Sequence, residues 1–258
     1  MTSMSEASSW FIIPQPNTEA THRLFCFHYA GGNGQIFYPW VKELDPSIEL
    51  VAIQLPGHGT RFNEPLATSM DSIVDSLGEQ IVGYLDKPYT FFGHSLGGLV
   101  AYALTHCLQK KSLLLPYCLY VSGKRAPHLD KEKKISHLPN AIFLEEAKKY
   151  NGVPNDILQN QEFLDVWLPI LRADFHVLET YTSPQDYRSS CDLVGLGGLD
   201  DIMVPPSSVK MWSQYTSAAF TSFFYPGNHF YINTEYAQIL KLILQSIRSK
   251  QSNKVLGF

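Results

Sequence analysis

The sequence predicts an α/β protein: a mostly parallel central sheet flanked by helices, with a helical segment inserted between two of its strands. Three observations carry this. Short apolar, β-branched or aromatic runs recur along the chain, segments of helical periodicity separate them, and the alternation breaks once, between about residues 127 and 185. Strands that alternate with helices build parallel sheets, because each crossover must return the chain to the same end of the sheet.

The first run, RLFCFHYA (23–30), has strand composition and empties into a glycine-rich loop. IELVAIQL (48–55) is nearly continuous in apolar residues, as expected of a strand buried on both faces. Residues 70–86 place Ile73, Leu77, Ile81 and Leu85 at every fourth position, which is a helical stripe. YTFFGH (89–94) is the next strand, and LVAYALTHCLQ (99–109) has the apolar, alanine-containing character of a buried helix. YCLYVSG (117–123), CDLVGLGG (191–198) and FTSFFYPG (220–227) complete the strands. A last helix over 234–248 carries Tyr236, Ile239, Leu240, Ile243 and Ile247 on one face. Between 127 and 185, HLPNAIFLEEAKKY and NDILQNQEFLDVWLPILRADFHVLETY replace strand signals with helical ones. An insertion there overhangs the strand ends, where open α/β sheets bind ligands, and is expected to act as a lid. No Gly/Ser-rich or Pro-rich linker divides the chain, so residues 1–258 are expected to form one domain.

With 258 residues, 45% hydrophobic and 17% charged, the chain can bury a full core and is not of disordered or collagen-like composition. A formal charge of −4 offers no basic surplus for phosphates, so no nucleic-acid partner is expected. The start, MTSMSEASSWFII, lacks a positive segment and has a short apolar run, and no later run approaches the roughly 18 residues of a spanning helix. A cytoplasmic protein without a membrane partner is the expectation. Cys26, Cys107, Cys118 and Cys191 are widely spaced inside apolar segments and are expected to be reduced, mostly buried thiols rather than metal ligands or disulfides.

The stretch FFGHSLGG, residues 91–98, ends a buried strand with a serine between glycines. A serine hydroxyl is a weak nucleophile at neutral pH and needs both a base and a site that stabilises the oxyanion it creates. In G-x-S-x-G, here Gly93 to Gly97, the serine occupies a tight strand-to-helix turn, and the flanking glycines avoid collisions with neighbouring backbone. The helix that follows points its N-terminus at the reacting carbonyl, and the N–H of Leu96 is the natural first oxyanion donor. Such a nucleophile elbow requires an acid and then a histidine downstream, each on the loop after a later strand. GGLDDIMVP offers Asp200 and Asp201, and PGNHF offers His229. The D-x-x-V shape leading into the next helix favours Asp201 as the acid, with Asp200 the alternative. A second oxyanion donor is expected from HYAGGNG (28–34), by position the N–H of Ala30, with Tyr29 the alternative.

The other histidines have plainer readings. His94 adjoins the serine but is expected to point elsewhere. His106 lies about 16 Å along the helix. His128, His137 and His176 fall in the insertion, and His22 opens a strand. A G-x-G-x-x-G nucleotide loop is not matched.

On these residues the chain resembles the type II thioesterases, stand-alone α/β-hydrolase enzymes that accompany nonribosomal peptide and polyketide synthases. The resemblance spans about 22–245 and rests on HYAGGNGQIFYPW, QLPGHGTRFNEPL, FFGHSLGG, SGKRAP, LPILRADFHVLETY, GGLDDIMV and PGNHFYI, in that order. Departures are His58, where many relatives have arginine, Asn228 before the histidine, and Ile202 in place of a frequent proline. The resemblance implies a Ser95–His229–Asp201 acyl-enzyme mechanism with no metal or organic cofactor. It further implies an acyl or aminoacyl substrate on the phosphopantetheine arm of a carrier protein, cleared when a chain is stalled or misprimed. Phe143, Leu144, Trp167, Leu168 and Phe175 are expected to give the lid an apolar underside for the acyl chain, and Lys131, Lys133 and Lys134 to steer an acidic carrier. A monomer is expected. A small-molecule carboxylesterase or lipase on the same scaffold is the competing reading, and a non-catalytic hydrolase-like binding protein is a third.

Overall fold

The computed structural model of the chain describes residues 9–129, 134–150 and 160–255. Within them a single sheet contains β1 (Phe11–Ile12), β2 (His22–Phe27), β3 (Ile48–Ile53), β4 (Tyr89–His94), β5 (Cys118–Ser122), β6 (Asp192–Gly198) and β7 (Phe220–Tyr225). The spatial order is β1-β3-β2-β4-β5-β6-β7. All pairings are parallel except that of β1 with β3. Among the described residues the α-helices are α1 (Met70–Gln80), α2 (Leu96–Lys110), α3 (Asn140–Lys148), α4 (Gln161–Thr180), α5 (Pro206–Lys210) and α6 (Tyr236–Val255).

Period-two alternation splits the central strands between two cores. Phe25, Phe27, Phe91, Leu119 and Val121 face one side, where Ile73 and Leu77 of α1 and Leu99 and Leu104 of α2 cover them. Leu24, Cys26, Phe92, Cys118 and Tyr120 face the other, against Ile239 and Ile243 of α6 and Phe37 and Trp40. Burial on both faces explains why these strands are almost continuously apolar. At roughly 1.5–3 kcal/mol for each fully buried large side chain, the aromatic pairs across β2 and β4 are a main source of stability. Phe25 and Phe91, for example, meet edge to face at 5.7 Å.

Local signals set the element ends. Ser69 caps α1 by accepting from the N–H of Ser72, and Asn160 caps α4 by accepting from the N–H of Phe163. The helix expected over 70–86 is α-helical only to Gln80 and tightens into a 3₁₀ turn over Ile81–Tyr84. Among the elements that the sequence pattern does not reveal are the two-residue strand β1 and a 3₁₀ segment, Gly34–Glu43, after the glycine-rich loop. β1 is too short for periodicity to register, and Pro39 inside the second disguises it. The helical block expected over 127–185 is narrower, with α3 and α4 as its α-helices among the described residues. Pro139 confines the residue before it to extended backbone, and the chain after Thr180 is irregular as far as β6. The thiols of Cys26, Cys118 and Cys191 are buried, Cys107 is half-buried, and all four are free.

Candidate active site

Ser95 sits between the end of β4 and the first residue of α2 with φ of 54° and ψ of −115°. An L-residue with a side chain rarely adopts such a conformation, which costs about 1–3 kcal/mol. It persists because both flanks are over-determined. A Cβ on Gly93 would lie 2.2 Å from the carbonyl oxygen of Gly97, and one on Gly97 would lie 2.1 Å from that of Phe27. The N–H of Ser95 donates to the Ser122 carbonyl at 2.8 Å, tying the turn to β5. Ser95→Gly is therefore expected to be more stable than Ser95→Ala by about 1 kcal/mol, the strain relief less the flexibility of glycine in the unfolded chain. Urea unfolding of the two variants checks this, and equal midpoints would remove the strain.

The loops after β6 and β7 bring Asp201 and His229 together. His229 Nδ1 lies 2.6 Å from Asp201 Oδ2, and both residues are buried. Asp201 Oδ1 accepts from the N–H groups of Met203 and Val204 at 3.0 and 2.9 Å. Burial opposes its ionisation, but the hydrogen bond and charge of His229, with those two N–H groups, outweigh it and hold the carboxyl below the ordinary range. An ionised carboxylate only accepts, so Nδ1 must carry a proton, and in the neutral ring Nε2 is then a free base. Asp200 does something else: exposed, it accepts from the N–H of Gly227 at 3.2 Å and so ties the two loops together.

Ser95 and His229 line one cavity of about 270 Å³, and Tyr29 and Ala30 from the loop after β2 line it too. Each of these groups follows the C-terminal end of a parallel strand, where the sheet's crossovers leave a crevice. The N–H of Leu96 opens α2 and has no intrahelical acceptor. Among the described residues no acceptor takes the N–H of Ala30 either, whereas those of Gly31 and Gly32 are engaged.

The insertion roofs this cavity with a different set of side chains from the one expected. Trp167 and Phe175 line it, joined by Tyr150, Leu171 and Leu178. Phe143, Leu144 and Leu168 are corrected: they do not line the cavity but pack within a small core between α3 and α4. Phe143 is fully buried there, edge-on to Phe175 and under the Arg172 guanidinium. An apolar stripe on an insertion helix can face either its partner helix or the cavity, and composition does not distinguish the two. Lys134 also lines the cavity, while Lys131 and Lys133 lie outside the described residues.

Several further side chains surround His229. The His94 ring lies 5.0 Å from that of His229, so it is closer to the site than expected, although its Nδ1 is turned to Ser122 Oγ at 2.8 Å. Burial, then the neighbouring charge of His229, push the His94 pKa well down, so it remains a neutral support. Tyr150 packs its ring edge on His229 at 5.4 Å. Lys124 and Arg125 of SGKRAP reach the cavity wall, and that motif was the signal available for them.

A parallel sheet that presents a strained serine and an aspartate-backed histidine at one crevice, with an amide on its wall that no acceptor takes among the described residues, is the architecture of an α/β hydrolase working through serine. The thioesterase domain family matches residues 22–247, and the chain belongs to that family: it is a serine hydrolase of thioester bonds. A linear gramicidin dehydrogenase, LgrE, of Brevibacillus parabrevis is 36% identical over 94% of each chain. Thioesterase PikA5 of Streptomyces venezuelae is 35% identical over 88% of this chain and 80% of its own. The solved structure of BorB, a type II thioesterase from the borrelidin biosynthetic cluster, superposes with a TM-score of 0.84 at 26% identity, covering 94% of this chain and 99% of the other.

Proposed function

We propose that this chain hydrolyses acyl or aminoacyl thioesters held on the phosphopantetheine arm of a carrier protein, with Ser95, His229 and Asp201 as the catalytic residues. The observation that carries the reading is that His229, held at 2.6 Å by Asp201, lines the same cavity as Ser95. His229 Nε2 takes the Ser95 proton as Oγ bonds to the thioester carbonyl carbon, and the displaced electron pair settles on the carbonyl oxygen. The N–H groups of Ala30 and Leu96 hold that oxyanion. Collapse breaks the C–S bond, and the departing thiolate takes the proton from His229. Water then gives a proton to His229 as its oxygen adds to the acyl carbon, and the acyl–Ser95 bond breaks with the proton returned to Ser95. Asp201 keeps the imidazole in the productive tautomer throughout. Trp167 and Phe175 supply apolar wall for the acyl chain.

The likeness to type II thioesterases supports editing of carrier-bound chains in nonribosomal peptide or polyketide synthesis as the setting, in the cytoplasm. Intact-mass measurement of an acyl-loaded carrier protein before and after incubation tests this, with nitrophenyl esters as comparison. Loss of the acyl mass is expected, and strong preference for the esters overturns the reading in favour of a carboxylesterase.

The basic stretch DKEKK supports a carrier-docking role. Reversing the charges at Lys131 and Lys133 should slow hydrolysis of carrier-bound thioesters by up to about tenfold at low salt and leave small pantetheine thioesters unaffected. Equal effects on both substrates would remove docking from the proposal.

A further inference from the structure

Two segments distant in sequence meet behind the cavity wall. Trp167, Leu171 and Asp174 share one face of α4, and that face grips Gly31. Trp167 Nε1 donates to the Gly31 carbonyl at 2.9 Å, and the Gly31 N–H donates to Asp174 Oδ2 at 2.7 Å. Gly31 has φ of +72°, and a Cβ there would lie 2.9 Å from Leu171 and 3.0 Å from Trp167, so the position admits only glycine. The same Asp174 oxygen lies 3.0 Å from His58 Nε2, and both side chains are buried. The other ring nitrogen of His58, Nδ1, lies 2.9 Å from the Pro56 carbonyl oxygen. Both of these partners accept only, so a neutral imidazole satisfies one of them and an imidazolium satisfies both. Asp174, His58 and Gly31 do not line the cavity, but the adjacent Ala30 does.

We propose that His58 and Asp174 are positioning residues for the hydrolysis: their buried ion pair fixes Gly31 and thereby aims the Ala30 N–H at the developing oxyanion, most firmly while His58 is protonated. This rests on the assignment of Ala30 as an oxyanion donor. The charged and titratable groups that face His58 are Asp174 from α4, Arg61 from the turn that follows, and His28 from the end of β2, its ring 5.0 Å away. Arg61 is itself paired with Glu64. Burial, then the charge of His58, lower the His28 pKa to about 4, so it is neutral at working pH. Burial also disfavours charge on His58, but the Asp174 charge and hydrogen bond, with the Pro56 carbonyl, carry its pKa above the ordinary 6.5 against a smaller push from Arg61. Because that pKa is raised, the clamp's contribution is complete below pH 6.5 and is lost as pH rises through the higher folded-state value.

The test is steady-state kinetics on an acyl-pantetheine thioester, with affinity for an alkyl boronic acid as a tetrahedral oxyanion probe. Asp174→Asn and His58→Gln should lower kcat roughly 10- to 100-fold, below the 10²–10³ of deleting an oxyanion donor outright. KM should change less than about twofold and boronate affinity should fall in step with kcat. The wild-type kcat should decline as pH rises above 6.5 through the raised His58 pKa, and His58→Arg, which holds its proton throughout, should retain activity and abolish the decline. Unchanged kcat and boronate affinity in both neutral variants, a loss confined to KM, or a level wild-type profile would overturn the proposal. The wild-type profile needs no variant, so a substitution that unfolds the protein leaves the test standing. A wild-type enzyme that cleaves nitrophenyl esters but not the thioester sinks the substrate assignment instead, and the clamp is then measured on the ester.

Discussion

Ser95→Ala is expected to give a folded protein whose thioester turnover is lower by roughly 10⁵- to 10⁶-fold. The oxygen removed is the attacking atom of the proposed mechanism, and no neighbour can replace it. His94 is neutral and turned to Ser122, and Asp201 is engaged by His229 and two backbone amides. What remains is the stabilisation supplied by the amides and by binding, which sets the residual rate. The protein should still fold, because alanine keeps a Cβ in the same turn and the N–H bond to Ser122 is retained. Circular dichroism and a thermal melt establish folding, and mass spectrometry during turnover should detect an acyl adduct on the wild type only. Turnover within tenfold of wild type in a folded Ser95→Ala would refute a serine nucleophile at this position.

Asp201→Asn should cost about 10⁴ in kcat, and Asp200→Asn less than about tenfold. The geometry gives a specific reason for the first figure. Met203 and Val204 N–H groups both donate to one oxygen of Asp201, so an asparagine in its place must put its carbonyl oxygen there. Its NH₂ then faces His229 Nδ1, which must become an acceptor, and Nε2 carries the proton it should be taking. Asp200, by contrast, holds only an exposed 3.2 Å bond from Gly227. Because the Asp201 pKa is depressed, its ionised form also stabilises the fold, fully above the ordinary 3.8 and progressively less as pH falls through the lower folded value. Asp201→Asn should therefore lose that part of the acid dependence of unfolding, which denaturation at a series of pH values measures. A reversed ranking of the two aspartates in kcat would exchange their roles.

The parts of this molecule that follow from short-range physics are legible in its sequence. The strands announce themselves because residues such as Phe25, Phe27 and Phe91 must be buried on alternate faces. The elbow does so because Gly93 and Gly97 are sites where a Cβ would collide with backbone. Asp201 and His229 are legible as candidates because each loop after a parallel strand opens onto the same edge of the sheet. The roof was harder: Trp167 and Phe175 face the cavity, whereas Phe143, Leu144 and Leu168 face another helix, and all five have the same hydrophobic character.

The α/β layering, the strained serine turn and the chain order of Ser95, Asp201 and His229 are readable without coordinates, since each rests on sterics or periodicity within a few residues. Which aspartate touches His229, which insertion side chains meet the cavity, and the contacts of Asp174 with His58 and Gly31 across 116 and 143 residues of chain emerge from long-range packing alone. Those outcomes depend on how helices settle against the sheet, and a buried carboxylate takes whichever donors that packing brings within about 3 Å.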